Sequence, residues 1–193
     1  MPETVPLYEI QKLTYTDYAL IPDDGRRHEI LDGTHVMSPA PSTRHQRIVG
    51  DLYAEMRFHV RDHALGEVFV APFDVLLSDF DIVQPDICFV AEGRMIVNEA
   101  NCKGAPDLMV EVLSPSTRRR DLIDKRLLFE RSGVSEYWAV DPDADEVQVF
   151  CLDGPVGRPG GAYARTPLRA ESGDALTSAC LPGFSLALRE LFG

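Results

Sequence analysis

Pro106-Asp107-Leu108-Met109-Val110-Glu111-Val112-Leu113-Ser114-Pro115-Ser116-Thr117 is the stretch that decides how this chain is read. Residues 107 to 113 make a short, mostly apolar run, the pattern of a strand buried on both faces. Ser114-Pro115-Ser116-Thr117 then breaks it. Glu111 is out of place in such a run, because burying an uncompensated carboxylate costs several kcal/mol, roughly enough to unfold a marginal domain. Something must pair with it. An Arg in a buried salt bridge is one partner; a metal or catalytic group is the other.

Working outward, a helix is expected from about 119 to 132, stopped by Gly133. Spacings of three and four put Lys125 on the arc of that helix that holds Leu122, Leu128 and Phe129, and Asp121 one turn earlier can hold its ammonium. The alternative is a lysine whose stem packs while its head reaches water. On the other side of the run, residues 82 to 91 read as a strand with Asp86, Cys88 and Val90 on one face and Ile87 and Phe89 on the other. Taken alone, Pro85-Asp86 is also a common turn pair. Two carboxylates and an ammonium that converge can hold a divalent cation and a water against a phosphodiester, which makes Asp86, Glu111 and Lys125 the leading candidates.

The remaining elements give a mixed α/β order. A short helix is expected over 14–21, followed by the turn Asp23-Asp24-Gly25. Residues 27–31 and 34–37 flank Asp32-Gly33 as a hairpin that places Glu29 on a strand. Ser42 or Thr43 caps a helix from about 43 to 62, with His45 one turn before Val49 on its inward stripe. A histidine there is a satisfied core residue or a supporting site residue. His59 and His63 are four apart but lack the glutamate of a zinc-protease helix, and a surface helix end accounts for them. Asp74 and Asp107 read as turn or strand-end residues. Further strands are expected over 67–77, with an edge or bulge at Pro72, and over 137–140, 146–151 and 162–166. A loop over 154–161 and a terminal helix over 186–192 complete the pattern.

At 193 residues the chain suits one domain spanning 1–193. No apolar run nears the ~20 residues needed to cross a bilayer, and the first residues carry acids and prolines where a secretory signal has bases and an apolar core. Cys88, Cys102, Cys151 and Cys180 form no Cys-x-x-Cys pair, which points to free thiols in a reducing cytoplasm. A formal charge of −12 opposes nucleic-acid binding of the simple electrostatic kind. Arg118, Arg119, Arg120, Lys125, Arg126 and Arg131 nevertheless concentrate positive charge in one segment, either as a solvated helix face or as a phosphate-contacting patch.

Several motifs in order carry a resemblance: His28-Glu29-Ile30-Leu31-Asp32-Gly33, Ser38-Pro39 with His45, Gln84-Pro85-Asp86, the 106–117 stretch, Asp121 with Lys125, Gly133-Val134-Ser135-Glu136-Tyr137-Trp138, and Leu181-Pro182-Gly183-Phe184. Over nearly its whole length the chain resembles the Uma-type restriction endonuclease family, within the PD-(D/E)XK nuclease superfamily. The resemblance implies a restriction-endonuclease-like α/β fold, a central mixed β-sheet flanked by α-helices. It also implies Asp86 and Glu111 as Mg2+ ligands and Glu29 as an additional acid beside them. The superfamily lysine lies two residues after the glutamate, where this chain has Leu113. Lys125 matches the family's alternative, a lysine supplied from the following helix, and Phe129 stands where the family often has Tyr.

Mg2+, or Mn2+ in its place, would take the two carboxylates and a backbone carbonyl such as that of Val112, leaving positions for phosphate and water. The expected activity is a metal-dependent endonuclease that hydrolyses DNA phosphodiester bonds, acting as a homodimer because cutting two strands takes two sites. Two other readings stay open. One is a catalytically idle nuclease-fold protein that binds nucleic acid or a protein partner; the other is a metal hydrolase acting on a small phosphate ester.

Overall fold

A computed structural model describes residues 11–94, 96–153 and 162–193; the expected loop over 154–161 lies outside these. The elements in chain order begin with α1 (Tyr15–Tyr18), the hairpin β1 (Arg27–Leu31) and β2 (Thr34–Ser38), and α2 (Thr43–Asp62). Strands β3 (Gly66–Val70), β4 (Val75–Ser78), β5 (Asp81–Val83), β6 (Ile87–Ala91), β7 (Cys102–Lys103) and β8 (Leu108–Val112) follow. A π-helical turn, Arg120–Lys125, runs into α3 (Arg126–Ser132). Then come β9 (Glu136–Asp141), β10 (Glu146–Leu152), β11 (Tyr163–Arg169), β12 (Ala175–Thr177), β13 (Ser185–Ala187) and α4 (Leu188–Phe192).

The fold is mixed α/β, as the sequence predicts, with its strands divided among sheets. A six-stranded sheet has the order β11-β10-β9-β8-β6-β3, and a five-stranded one the order β2-β1-β5-β4-β7. Each is mixed, through the parallel pairs β8–β9 and β4–β7. The expected strand 67–77 is two strands in different sheets, β3 and β4. Pro72 falls between them and cannot donate to a ladder. The expected strand 82–91 divides in the same way at Pro85, into β5 and β6. Both prolines therefore mark points where the chain passes from one sheet to the other.

Three other boundaries move. The first helix is shorter than 14–21, because Thr14 N–H donates to Asp17 at 2.8 Å to start it and Pro22 disfavours helical backbone at the residue before it. Leu186 and Ala187 belong to β13, which pairs with β12, so the terminal helix begins at Leu188. The strand expected over 162–166 continues to Arg169 through Pro167, which an edge strand tolerates. The long helix α2 spans the expected residues, its Ser42 cap accepting from His45 N–H at 3.2 Å.

Alternation along β6 and β8 sorts the core into two layers. Ile87, Phe89, Leu108, Val110 and Val112 pack with Ile48, Leu52, Met56 and Val60 of α2. Cys88, Val90, Met109 and Leu113 pack on the opposite side with Leu128 and Phe129 of α3 and with Val75 and Val83 of the five-stranded sheet. By the same alternation Glu111 falls on the second side, between the two sheets.

Candidate active site

The antiparallel register Ile87↔Val110 between β6 and β8, extended by one residue, sets Asp86 opposite Glu111. Asp86 lies one residue before β6, at the corner that Pro85 makes between the sheets, and Val112 N–H donates to its Oδ2 at 2.8 Å. This bond fixes the carboxylate beside the end of β8. Glu29 arrives from β1 of the other sheet and accepts the Gln84 backbone N–H at 2.9 Å. Lys125 arrives from the π-helical turn; its Nζ donates to Glu111 Oε1 at 2.6 Å and to Glu29 Oε1 at 2.8 Å. Asp121, one turn earlier, stands 3.9 Å from the same ammonium. All five side chains are buried.

Two further groups complete the cluster. His45, buried on α2, places Nε2 3.2 Å from Asp86 Oδ2, and Arg27 on β1 places Nη1 2.7 Å from Asp86 Oδ1. The sequence reading brought Glu29, His45, Asp86, Glu111, Asp121 and Lys125 forward, and the structure brings all six together. It missed Arg27. The signal was its position two residues before Glu29 on one strand, since residues i and i+2 share a face.

Other candidates lie elsewhere. His59 and His63 stack on each other at the exposed end of α2, with ring centroids 4.3 Å apart. Asp107 is a strand-end residue that accepts from Ala91 N–H and pairs with Arg94. Asp74 accepts from the Tyr18 hydroxyl and from Gln84 Nε2. The basic segment from 118 to 131 is largely paired, Arg118 with Asp141, Arg126 with Glu130 and Arg131 with Asp81. Arg120 instead turns to β2, donating to Ser38 Oγ at 2.6 Å, and lines the same cleft as the buried acids.

Charge in the cluster is unbalanced. Four carboxylates face one ammonium and one guanidinium. Burial drives the Glu111 carboxyl well above its ordinary range, and neighbouring Asp86, Asp121 and Glu29 add to this against the pull of Lys125. Burial alone would discharge Lys125, but Glu111, Glu29 and Asp121 together raise its pKa. The ammonium has several anions around it, whereas Glu111 is fully desolvated and shares its one cation with Glu29 and Asp121. Asp86 differs. Burial pushes its pKa up, yet the His45 hydrogen bond, the Arg27 charge and the Val112 N–H outweigh this and hold it at about 2.

The donor set suits a hard cation. Asp86 and Glu111 offer oxygens, the Val112 carbonyl belongs to the residue that donates to Asp86, and the surplus negative charge would be relieved by a divalent ion. Among the described residues no three His, Cys, Asp or Glu side chains form a ready-made metal cage. Mg2+ does not require one, because it commonly binds through one or two carboxylates and keeps several waters.

Asp86, Glu111 and Asp121, with Lys125, lie at the floor of a cleft of about 1510 Å3. Its walls bring together Arg26, Arg27, Arg44 and Arg120 with Ser42, Ser114, Ser116 and Thr117. Basic and hydroxyl groups around a buried acidic floor suit an anionic substrate carried to a cation.

Against family models, residues 15–189 match Uma2, described as "Putative restriction endonuclease". The chain belongs to the Uma2 family. The match covers the hairpin that carries Glu29 as well as Asp86, Glu111 and Lys125, so the whole cluster lies within the family region. Among solved structures, a crystal structure described as a "putative nuclease belonging to DUF820" from Anabaena variabilis is similar. Its TM-score is 0.72 at 19% identity, over 93% of this chain and 97% of that one. At that identity the likeness speaks for the fold. No curated protein matches. No helix among the described residues is long and apolar enough to cross a membrane.

Proposed function

We propose that this Uma2-family protein is a metal-dependent endonuclease that hydrolyses DNA phosphodiester bonds at the Asp86–Glu111–Lys125 cluster. The observation that carries the reading is the convergence of three elements from two sheets and a π-helical turn on one buried group of acids and an ammonium, at the floor of a basic-walled cleft. Isolated structural ion pairs do not need a cleft. Small-molecule pockets are typically ~300–1,000 Å3, so the size of this cleft favours a polymeric substrate over a small phosphate ester.

In this reading Asp86, Glu111 and the Val112 carbonyl hold Mg2+, for which Mn2+ can substitute. When bound, the ion supplies a water of lowered pKa and neutralises charge developing on the phosphoryl oxygens. Asp86, ionised at neutral pH, keeps its carboxylate oriented through Val112 N–H and His45. Lys125, held between Glu29 and Glu111, presents its ammonium to the attacking water or to the negative charge of the transition state. Glu29 and Asp121 keep that ammonium charged and in place. Cutting both strands would take two copies related by two-fold symmetry, and the setting would be the cytoplasm. A monomeric sedimentation profile with and without DNA would remove the dimer.

The decisive test is nicking of supercoiled plasmid in Mg2+ or Mn2+, with Glu111→Ala purified in parallel. Cleavage that is lost in the variant supports the proposal. No cleavage by either protein, or equal cleavage by both, sinks it. Salt-sensitive DNA binding without cleavage would move the weight to a catalytically idle, nucleic-acid-binding protein.

A further inference from the structure

Lys125 is one of two cations that hold the acids together; the other, Arg27, has a different geometry. Its Nη1 lies 2.7 Å from Asp86 Oδ1. The opposite oxygen, Oδ2, is engaged by Val112 N–H at 2.8 Å and by His45 Nε2 at 3.2 Å. A carboxylate offers about four lone-pair directions, so the one left is on Oδ1, beside the guanidinium. A divalent ion bound there would share an oxygen with Arg27. Charges of +2 and +1 would then stand roughly 4 Å apart in a site far less polarisable than water, where repulsion is strong.

The two partners of this ion pair also differ in freedom. Asp86 is 2% exposed and fixed by its three hydrogen-bonding neighbours, whereas the Arg27 side chain is 24% exposed and lines the cleft. Arg27 and Glu29 project from the same face of β1, so a guanidinium that leaves Asp86 stays over the floor of the cleft. Its planar fork suits two phosphate oxygens.

We infer that Arg27 competes with the divalent cation for Asp86 and, once displaced, becomes the contact for the scissile phosphate. Metal and substrate would then exchange partners across one guanidinium. This rests on the metal-dependent nuclease reading above. A merely structural ion pair predicts the reverse, because removing it would loosen Asp86 and weaken metal binding.

The test is Mn2+ binding without DNA, followed by electron paramagnetic resonance, for the wild type, Arg27→Gln and Glu111→Ala. Arg27→Gln removes the charge and leaves a shorter, neutral polar side chain at the same position of β1. It should bind Mn2+ about tenfold more tightly, equivalent to ~1.4 kcal/mol of relieved repulsion. With Ca2+ present it should bind a short DNA duplex more weakly than the wild type. Equal or weaker Mn2+ binding by Arg27→Gln overturns the inference. If Arg27→Gln fails to fold, nitrogen resonances of the wild-type guanidinium, assigned with Arg27→Lys, decide: Mg2+ should shift those of Arg27, and unchanged signals overturn the inference. Should the wild type bind Mn2+ and Glu111→Ala not, the metal reading stands whatever Arg27 does. Should all three proteins bind none, both fall together.

Discussion

Desolvating a lysine ammonium costs several kcal/mol, and Lys125 recovers this through hydrogen bonds to Glu29 and Glu111 and the nearby charge of Asp121. Lys125→Met keeps the apolar stem and removes the charge. The variant leaves three buried carboxylates facing one another, so we expect it to lose about 3–5 kcal/mol at pH 7 in urea denaturation, with cleavage abolished. Glu111 should behave in the opposite way. Its folded pKa is raised, chiefly by burial, so its ionisation works against folding as pH rises above about 4.5, the ordinary glutamate range. Glu111→Gln, a stand-in for the protonated carboxyl, should match the wild type in stability below that pH. Above it the variant should become progressively more stable, until the wild-type carboxyl is fully ionised, while losing nuclease activity. Equal stability at pH 4 and pH 7 would show that the carboxylate is fully compensated. Glu111 is legible as a functional candidate for this same reason, since a carboxylate inside Leu-Met-Val-Glu-Val-Leu needs a partner, whether a buried cation or a metal.

Among the elements, β6 and β8 determine where the carboxylates meet, and β3 supports β6 from its other edge. Gly66 opens β3 at φ +142°, and a Cβ there would run into the Val90 carbonyl oxygen of β6. Gly66→Ala should therefore destabilise the fold by about 3 kcal/mol or more, read as a fall in the urea midpoint, whereas Gly50→Ala on the open face of α2 should be neutral or stabilising. Helices, hairpin and buried strands were readable because period and turn chemistry are local signals. The passage of the chain between sheets at Pro72 and Pro85 was not, because a proline that ends a strand and one that sits at an edge look alike in sequence. Nor could the π-helical turn be read, although it delivers Lys125 to Glu111: one extra residue per turn leaves the apolar pattern almost unchanged over six residues. The sequence puts Arg27 on the strand face of Glu29, but its ion pair with Asp86 depends on how the two sheets assemble.

For the molecule as a whole, the question is how a chain of net charge −12 would hold a polyanion. The arrangement of the cleft gives an answer in terms of position rather than sum. Arg26, Arg27, Arg44 and Arg120 gather at its walls; Asp86 is buried beneath Arg27, Asp145 is paired with Arg44, and the exposed Asp23 and Asp143 share the lining with them. Helix α2 supplies an internal control. Arg44 stands at its cleft end, and Arg61 lies 17 residues further along, about 25 Å away at 1.5 Å per residue. Both are half-exposed and both pair with an aspartate, the half-buried Asp145 and the exposed Asp62 respectively. Reversing either charge changes the net charge by the same amount, so a response to overall charge alone would treat the two variants alike. If DNA lies in the cleft, Arg44→Glu should weaken binding several-fold and lower the slope of log affinity against log salt by about 1, while Arg61→Glu leaves both near wild type. Fluorescence anisotropy with a labelled duplex in Ca2+, titrated from low to moderate salt, measures this directly. Equal losses in the two variants would mean that DNA responds to the whole field of the molecule and not to the cleft, and the substrate assignment would have to be abandoned even if the acids below bind metal.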